Sequence, residues 1–168
     1  MEIVYETKRL QLKVFTKNDV EIAKTFWGDP EVMEHCTGAT PHHLLPKVLA
    51  FYQKCHYEKG LSVYSVVEKN SGQVMGAAGF NVIDTLNKIE LIYHFSKINW
   101  GKGYASEAVN ACIAMAKQHG DVNIIHASVD PGNINSTKIL QKVGFRFIEM
   151  KWFSDTGQEE LYFEYKIK

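Results

Sequence analysis

The sequence predicts an α/β protein of the mixed α+β kind, a single domain over residues 1–168 with a central mixed β-sheet of about seven strands and about four flanking helices. Three observations carry this. Segments alternating apolar and polar residues are interleaved with segments of helical period. Three strand-like segments follow one another in mid-chain, the first two joined by a turn signal. The later helical segments each close on a glycine. The order β-α-α-β-β-β-α-β-α-β-β is that of a mixed sheet with helices packed on it. A chain of 168 residues fits one domain, and 45% hydrophobic content is ample for one core.

Residues Arg9–Phe15 form the first predicted strand, with Leu10, Leu12 and Val14 facing one way and Arg9, Gln11 and Lys13 the other. Thr16 is a candidate N-cap, with Asp19 favoured by the helix dipole, for a helix running toward Trp27. Gly28-Asp29-Pro30 stops that helix, and Pro30 can start a short second piece through His35. Pro41 to Glu58 reads as a further helix ending at Gly60. Strands are predicted over Ser62–Glu68, over Gln73–Ile83 after the turn Asn70-Ser71-Gly72, and over Lys88–Phe95. Gly103–His119 is helical, with Ala105, Ala108, Val109, Cys112, Ile113 and Ala116 on one buried face and Gly120 as its stop. Asn123–Val129 is a short apolar strand, and Asn133–Val143 a helix closed by Gly144. Phe145–Phe153 and Glu159–Ile167 are strands around Asp155-Thr156-Gly157, and in the last Leu161, Phe163, Tyr165 and Ile167 alternate with polar neighbours.

Composition excludes several functions. With 19 basic and 19 acidic residues there is no nucleic-acid footprint and no polybasic membrane surface. No run reaches the roughly eighteen apolar residues of a spanning helix. The first eight residues lack the apolar stretch of a signal peptide. Cys36, Cys55 and Cys112 are odd in number and widely spaced, which fits neither a disulfide framework nor a metal site and suits a reduced, cytoplasmic setting. None of the seven histidines has the spacing that puts two ligands on one helix face, so no metal is expected.

The segment Asn99-Trp100-Gly101-Lys102-Gly103-Tyr104-Ala105-Ser106-Glu107-Ala108 carries the chemistry. Two glycines join a strand to a helix, where the backbone can turn sharply and approach a ligand. The first turn of the following helix has unpaired N–H groups and partial positive charge, which suits phosphate, and Lys102 can add a charge at the rim. A dinucleotide fingerprint needs a third glycine where Ser106 stands, and the P-loop pattern is absent.

A second motif, Asn133-Ile134-Asn135-Ser136 running to Lys142-Val143-Gly144-Phe145, follows Val129-Asp130-Pro131-Gly132. Together with the glycine loop, and with the opening Thr7-Lys8-Arg9-Leu10 and Asp29-Pro30-Glu31-Val32-Met33, it resembles the GNAT superfamily of N-acetyltransferases. More narrowly it resembles the subgroup that includes the ribosomal-protein N-terminal alanine acetyltransferases. The resemblance spans nearly the whole chain.

That resemblance implies a fold in which two central parallel strands, here Lys88–Phe95 and Asn123–Val129, splay apart to admit acetyl-CoA. Backbone groups of Tyr93, His94 and Phe95 would bond the pantetheine arm like an added strand. Gly101, Lys102, Gly103, Tyr104, Ala105 and Ser106 would hold the pyrophosphate. Two positions depart from the pattern. Ile98 stands where Gln or Arg is usual, but the contact there is largely main-chain, so binding should survive. Leu140 stands where many members carry the tyrosine that protonates the leaving thiolate, which excludes a tyrosine acid at that position.

Glu90 is the candidate base that takes the amine's proton, with His94 as runner-up; the plainer reading of Glu90 is an exposed strand carboxylate. Ser136 is the candidate group to meet the departing sulfur, or a first-turn serine satisfying backbone donors. Asn133 can bond the pantetheine, cap its helix, or both. Trp27, Phe51 and Tyr52 either wall the acceptor site or are simple core. No acidic cluster is visible that would demand a polycation; Glu159-Glu160 reads as a solvated turn. The expected activity is acetyl transfer from acetyl-CoA to a primary amine by direct attack, the amine being a peptide or protein N-terminus or a small molecule, by a monomer or homodimer. The alternative is a non-catalytic acyl-CoA-binding or sensor module.

Overall fold

A computed structural model describes residues 2–168 of the chain. It begins with a strand that the sequence reading lacks: β1 (Ile3–Glu6), too short to show alternation and ordered by antiparallel pairing with β2 (Leu10–Lys13). The sheet therefore has eight strands. Leu10 and Leu12 are fully buried while Gln11 and Lys13 are half-buried, as alternation requires.

Thr16 and Asp19 close a capping box, the Thr16 side chain accepting from the Asn18 N–H and Asp19 Oδ2 accepting from the Thr16 N–H at 2.9 Å. The helix they open is short, a 3-10 turn followed by α1 (Val20–Ala23), and it stops before Trp27. Phe26 and Trp27 turn inward instead, at 0% and 4% exposure. Pro30 to His35 forms turns rather than a helix, with the Met33 N–H bonded to the Asp29 carbonyl but no continuous ladder. Helix α2 (Leu45–Lys59) follows a 3-10 turn and ends on Gly60, whose φ of 80° lets the chain reverse.

Strands β3 (Val63–Glu68), β4 (Val74–Asn81) and β5 (Lys88–Phe95) form an antiparallel meander. Helix α3 (Tyr104–His119) buries Ala108, Val109, Cys112, Ile113 and Ala116. Strand β6 (Ile124–Val129), helix α4 (Ile134–Val143) and strands β7 (Arg146–Phe153) and β8 (Gln158–Lys166) complete the chain. The sheet order is β1-β2-β3-β4-β5-β6-β8-β7. Because β8 lies between β6 and β7, Tyr162 and Glu160 are buried as well as Phe163, so the last strand does not keep one wet face.

Alternation along β3 and β4 divides two cores. Tyr64, Val66 and Ala78 join α3 on one face of the sheet. Val63 and Ala77 join Phe26, Trp27, Leu45 and Leu49 on the other. Among the described residues no helix is long and apolar enough to cross a membrane.

One contact in the sheet is parallel, between β5 and β6, and it is brief. Lys88, Ile89 and Glu90 pair with Ile124, Ile125 and His126, and there the pairing ends. Beyond it β5 stays on β4 through Phe95, while β6 stays on β8 through Val129. The two strands are thus held by their outer neighbours and a gap opens between them, as the resemblance implied.

Phe163 is fully buried where β8 meets β6 and β7 and packs against Phe147 with centroids 5.8 Å apart. Phe163→Ala should therefore destabilise the protein by about 3–5 kcal/mol, read as a lowered urea midpoint with an unchanged m-value.

Candidate active site

The chain leaves β5 through a 3-10 turn and reaches α3 by way of Gly101 and Gly103, at φ of 76° and 79°. Space is open around Gly101, and a Cβ on Gly103 would come 3.4 Å from the Arg9 guanidinium. The requirement for glycine is thus the left-handed backbone more than crowding. The first helical bond of α3 runs from the Glu107 N–H to the Gly103 carbonyl, which leaves the N–H groups of Gly103, Tyr104, Ala105 and Ser106 without helical partners. Lys102 is exposed at the rim, and Ile98 is 77% exposed.

The loop is held from the other end of the chain. Arg9 donates from Nη1 to the Lys102 carbonyl at 2.9 Å and from Nε to Glu107 Oε1 at 2.7 Å. Glu107 Oε2 accepts from the Arg9 backbone N–H and from the Thr7 hydroxyl. Burial pushes the Glu107 carboxyl upward, but the bonds from Thr7 and Arg9 outweigh it and hold the group below the ordinary carboxylate range. The guanidinium also lies 4.4 Å over the Tyr104 ring, and the Tyr104 hydroxyl bonds Glu68. The sequence reading has Thr7 in the family resemblance and Arg9 there and in the first strand, but gives neither a part in the loop; the carboxylate they share lies about a hundred residues away. Trp100 packs the loop by donating from Nε1 to the Phe95 carbonyl at 2.8 Å.

The gap itself is lined by backbone on the β5 side. The Ser96 N–H bonds the Met75 carbonyl, and a Cβ on Gly76 would collide with the His94 carbonyl. Alternation along the antiparallel ladder then turns the His94 backbone toward β4 and the Tyr93 and Phe95 backbones into the gap. Across the gap, Asn133 caps α4 by accepting from the Ser136 N–H at 3.2 Å. With that donor satisfied, the Ser136 hydroxyl meets the Tyr93 hydroxyl at 2.5 Å. Leu140 is fully buried in the core.

Glu90 sits at the last paired position of β5, half-buried, on the face covered by α2. Asn81 Nδ2 donates to Glu90 Oε1 at 3.0 Å, and the Tyr52 hydroxyl donates to Asn81 Oδ1 at 3.3 Å. Burial raises the Glu90 carboxyl above its ordinary value, the Asn81 bond opposes this, and the charges of Asp155 and Glu160 add to it. Glu90 is therefore not a freely exposed strand carboxylate.

His94 is committed elsewhere. Trp27 Nε1 donates to its Nδ1 at 3.1 Å, and Nε2 lies 3.5 Å from Cys36 Sγ. With Nδ1 accepting, the ring is neutral and carries its proton on Nε2. Burial lowers its pKa to about 4, so it is a packed histidine and a poor base near neutrality. The Trp27 and Tyr52 rings pack tilted with centroids 5.5 Å apart, and each bonds a polar group of this face, whereas Phe51 is 59% exposed.

The fold also gathers acids that the sequence scatters. Burial first, and then the charges of Glu160, Asp130, Glu90 and Asp155, together raise the Cys36 thiol to about 11. These four carboxylates come from β5, the end of β6 and the β7–β8 hairpin. Glu160 is 6% exposed and accepts from Gln158, so it is not part of a solvated turn. Asp130 Oδ2 is 3.1 Å from His35 Nδ1.

The fold has counterparts among known proteins. Residues 9–146 match the family model of the acetyltransferase (GNAT) domain. The chain is 32% identical over 149 residues to the uncharacterized N-acetyltransferase p20 of Bacillus licheniformis, which covers 87% of this chain and 83% of that one. A GNAT-family acetyltransferase from Bacillus anthracis superposes with a TM-score of 0.85 at 21% identity, over 99% of both chains. The ribosomal L7/L12 α-N-protein acetyltransferase RimL, solved with coenzyme A, superposes with a TM-score of 0.78 at 15% identity, over 99% of this chain and 98% of that one.

His94 yields a test of the site's electrostatics. The unfolded histidine titrates near its ordinary value of 6.5 and the folded one near 4, so between these values the unfolded state binds more protons and stability rises with pH. The stability difference between wild type and His94→Gln should be larger at pH 7 than at pH 4.5 by urea unfolding. A difference independent of pH would mean that His94 is not held neutral.

Proposed function

The chain belongs to the GNAT acetyltransferase family, and on that premise we propose that it transfers the acetyl group of acetyl-CoA to a primary amine by direct attack. The observation that carries the reading is the gap between β5 and β6, with a left-handed glycine loop and the N-terminus of α3 at its mouth and a carboxylate of raised pKa at its apex. The N–H groups of Gly101 to Ser106, with Lys102 at the rim, suit the pyrophosphate. The backbones of Tyr93 and Phe95 suit the pantetheine amides, and Asn133 keeps its amide N–H₂ for the same arm while its oxygen caps α4. Ile98 takes part through its main chain.

The two faces of the sheet divide the work. Glu90, Asn81 and Tyr52 lie on the α2 side, where the amine would enter. Ser136 lies on the α4 side, where the thioester would lie. The acetyl-CoA thioester supplies an activated acyl carbon. Glu90 accepts a proton from the amine directly or through a water, and a raised pKa brings that carboxylate closer to the working pH of a base. The Ser136 hydroxyl would meet the sulfur as the C–S bond breaks. A covalent acyl-cysteine is disfavoured because the Cys36 thiol, near 11, is almost wholly protonated.

The acceptor we propose is the α-amine of a peptide or protein N-terminus. Such amines have pKa values of about 7.7–8, within reach of a carboxylate base, whereas a lysine-like amine at about 10.4 is a harder proton donor. RimL, by its name an α-N-protein acetyltransferase, points the same way. A second reading, a small cationic amine, draws on the carboxylates of Glu90, Asp130, Asp155 and Glu160, which would attract any protonated acceptor. A pure acyl-CoA sensor would leave the Tyr52–Asn81–Glu90 chain without a use.

Four measurements test this. Acetyl-CoA should raise the melting temperature of the wild type, and Gly103→Val should lose that shift while staying folded, because a β-branched residue cannot easily hold the φ of 79°. CoA release should be screened over an amine panel that includes peptides with different first residues; turnover confined to small amines would overturn the N-terminal reading. Glu90→Gln should lower kcat by about 10²–10⁴-fold at neutral pH and less at high pH, where the amine deprotonates unaided. Glu160→Gln should move the acid limb of the wild-type profile to lower pH, since removing a neighbouring negative charge lowers the Glu90 pKa.

A further inference from the structure

We propose that Tyr93 and Ser136 form a two-hydroxyl chain that stabilises the leaving CoA thiolate by hydrogen bonding, with Tyr93 acting through Ser136. This rests on the acetyl-transfer reading above. Tyr93 lies on β5 beyond the last residue paired to β6, and Ser136 lies in the first turn of α4, so one hydroxyl stands on each wall of the gap. Their separation of 2.5 Å is short beside the roughly 2.7–2.8 Å usual for paired hydroxyls.

Neither hydroxyl has another task. The capping side chain of α4 is Asn133, which accepts from the Ser136 N–H, and the Ser136 hydroxyl is turned to Tyr93 instead. The other oxygen near the Tyr93 hydroxyl is the Ser136 carbonyl at 3.5 Å, too long to compete. Tyr104 is tied to Glu68 and Tyr52 to Asn81, so neither is available to α4. Leu140, at the position where a tyrosine acid was excluded, is core.

Two hydroxyls carry two protons. If Tyr93 donates to Ser136 Oγ, the Ser136 proton is free to point into the gap, and its bond to an anion is strengthened by the donor behind it. The chain acts as a donor and not as an acid. Burial raises the Tyr93 hydroxyl to about 12, whereas a thiol of ordinary acidity titrates near 8.5, so full proton transfer to the thiolate would run uphill. The step then balances as follows. The amine lone pair forms the C–N bond, and Glu90 takes the amine proton. The C–S bond breaks with its electron pair going to sulfur, and the thiolate leaves bonded to Ser136, to be protonated later by solvent.

The test compares acetyl-CoA with its selenoester analogue, whose selenol is a much stronger acid than the thiol. Tyr93→Phe keeps the ring, and its melting temperature and its acetyl-CoA Kd by calorimetry report any merely structural loss. With acetyl-CoA, kcat should fall about tenfold for Tyr93→Phe and about tenfold to a hundredfold for Ser136→Ala, with Kd changed much less. The double variant should be no slower than Ser136→Ala alone, because Tyr93 acts through it. With the selenoester both losses should shrink to about threefold or less, since the better leaving group needs less stabilisation. Wild-type kcat in Tyr93→Phe, an equal loss with both cofactors, or additive losses in the double variant would each overturn the chain while leaving the transferase reading intact. Wild-type protein that binds no acetyl-CoA, or releases no CoA with any amine, would overturn both.

Discussion

Backbone polar groups in the middle of a sheet need partners, and in this protein the end of the β5–β6 pairing leaves some without them. The two strands share three residue pairs and then follow their outer antiparallel neighbours in different directions. The edge of β5 that opens at Tyr93 and Phe95 is thereby an unfilled strand position at the centre of the fold. An extended chain bearing amides can fill it as an added strand would. Everything else in the site is arranged about that opening: the glycine loop where β5 ends, α4 where β6 ends, and Glu90 at the point where the strands part.

An opening of this kind needs rigid margins, and they come from distant segments. Space is open around Gly101, and the Arg9 guanidinium is what a Cβ on Gly103 would meet. The loop is fixed because Arg9 holds the Lys102 carbonyl and because Glu107 gathers Thr7 and Arg9 onto the first turn of α3. A half-buried carboxylate receiving three donors is worth more than a surface ion pair, since the donors replace the water it has lost. The first strands of the chain thus contribute to the glycine-loop end without lying in the gap.

Electrostatics separates the two sides of the opening. On the α2 side, Glu90 is kept above its ordinary pKa by burial and by the charges of Asp155 and Glu160, while His94 is kept neutral by burial and by the donor from Trp27. On the α4 side the groups are neutral hydroxyls and an amide. A proton acceptor on one face and uncharged donors on the other match a reaction in which the attacking group sheds a proton and the departing group gains negative charge.

The sequence alone determined what depends on local conformation. The stops at Gly60, Gly120 and Gly144 and the loop at Gly101 and Gly103 were legible because left-handed backbone favours glycine wherever it occurs. The strands from Val63 to Phe95 were legible because Val and Tyr favour a strand and the Asn70-Ser71-Gly72 turn separates the first two, although β3 and β4 are buried on both faces and show no alternation of burial. The motif at Asn133 and Ser136 located one wall of the gap. Tertiary structure alone decided which side chains meet. Strand β1 exists because β2 supplies its partner, and α1 ends early because Phe26 and Trp27 are drawn beneath the sheet. The acids around Cys36 lie far apart in the chain, so neither their proximity nor its effect on Glu90 has a local signature. Tyr93 and Ser136, 43 residues apart, are the same case: each sits in a motif that can be read, but a hydrogen bond between strand and helix is a fact of packing that no spacing encodes.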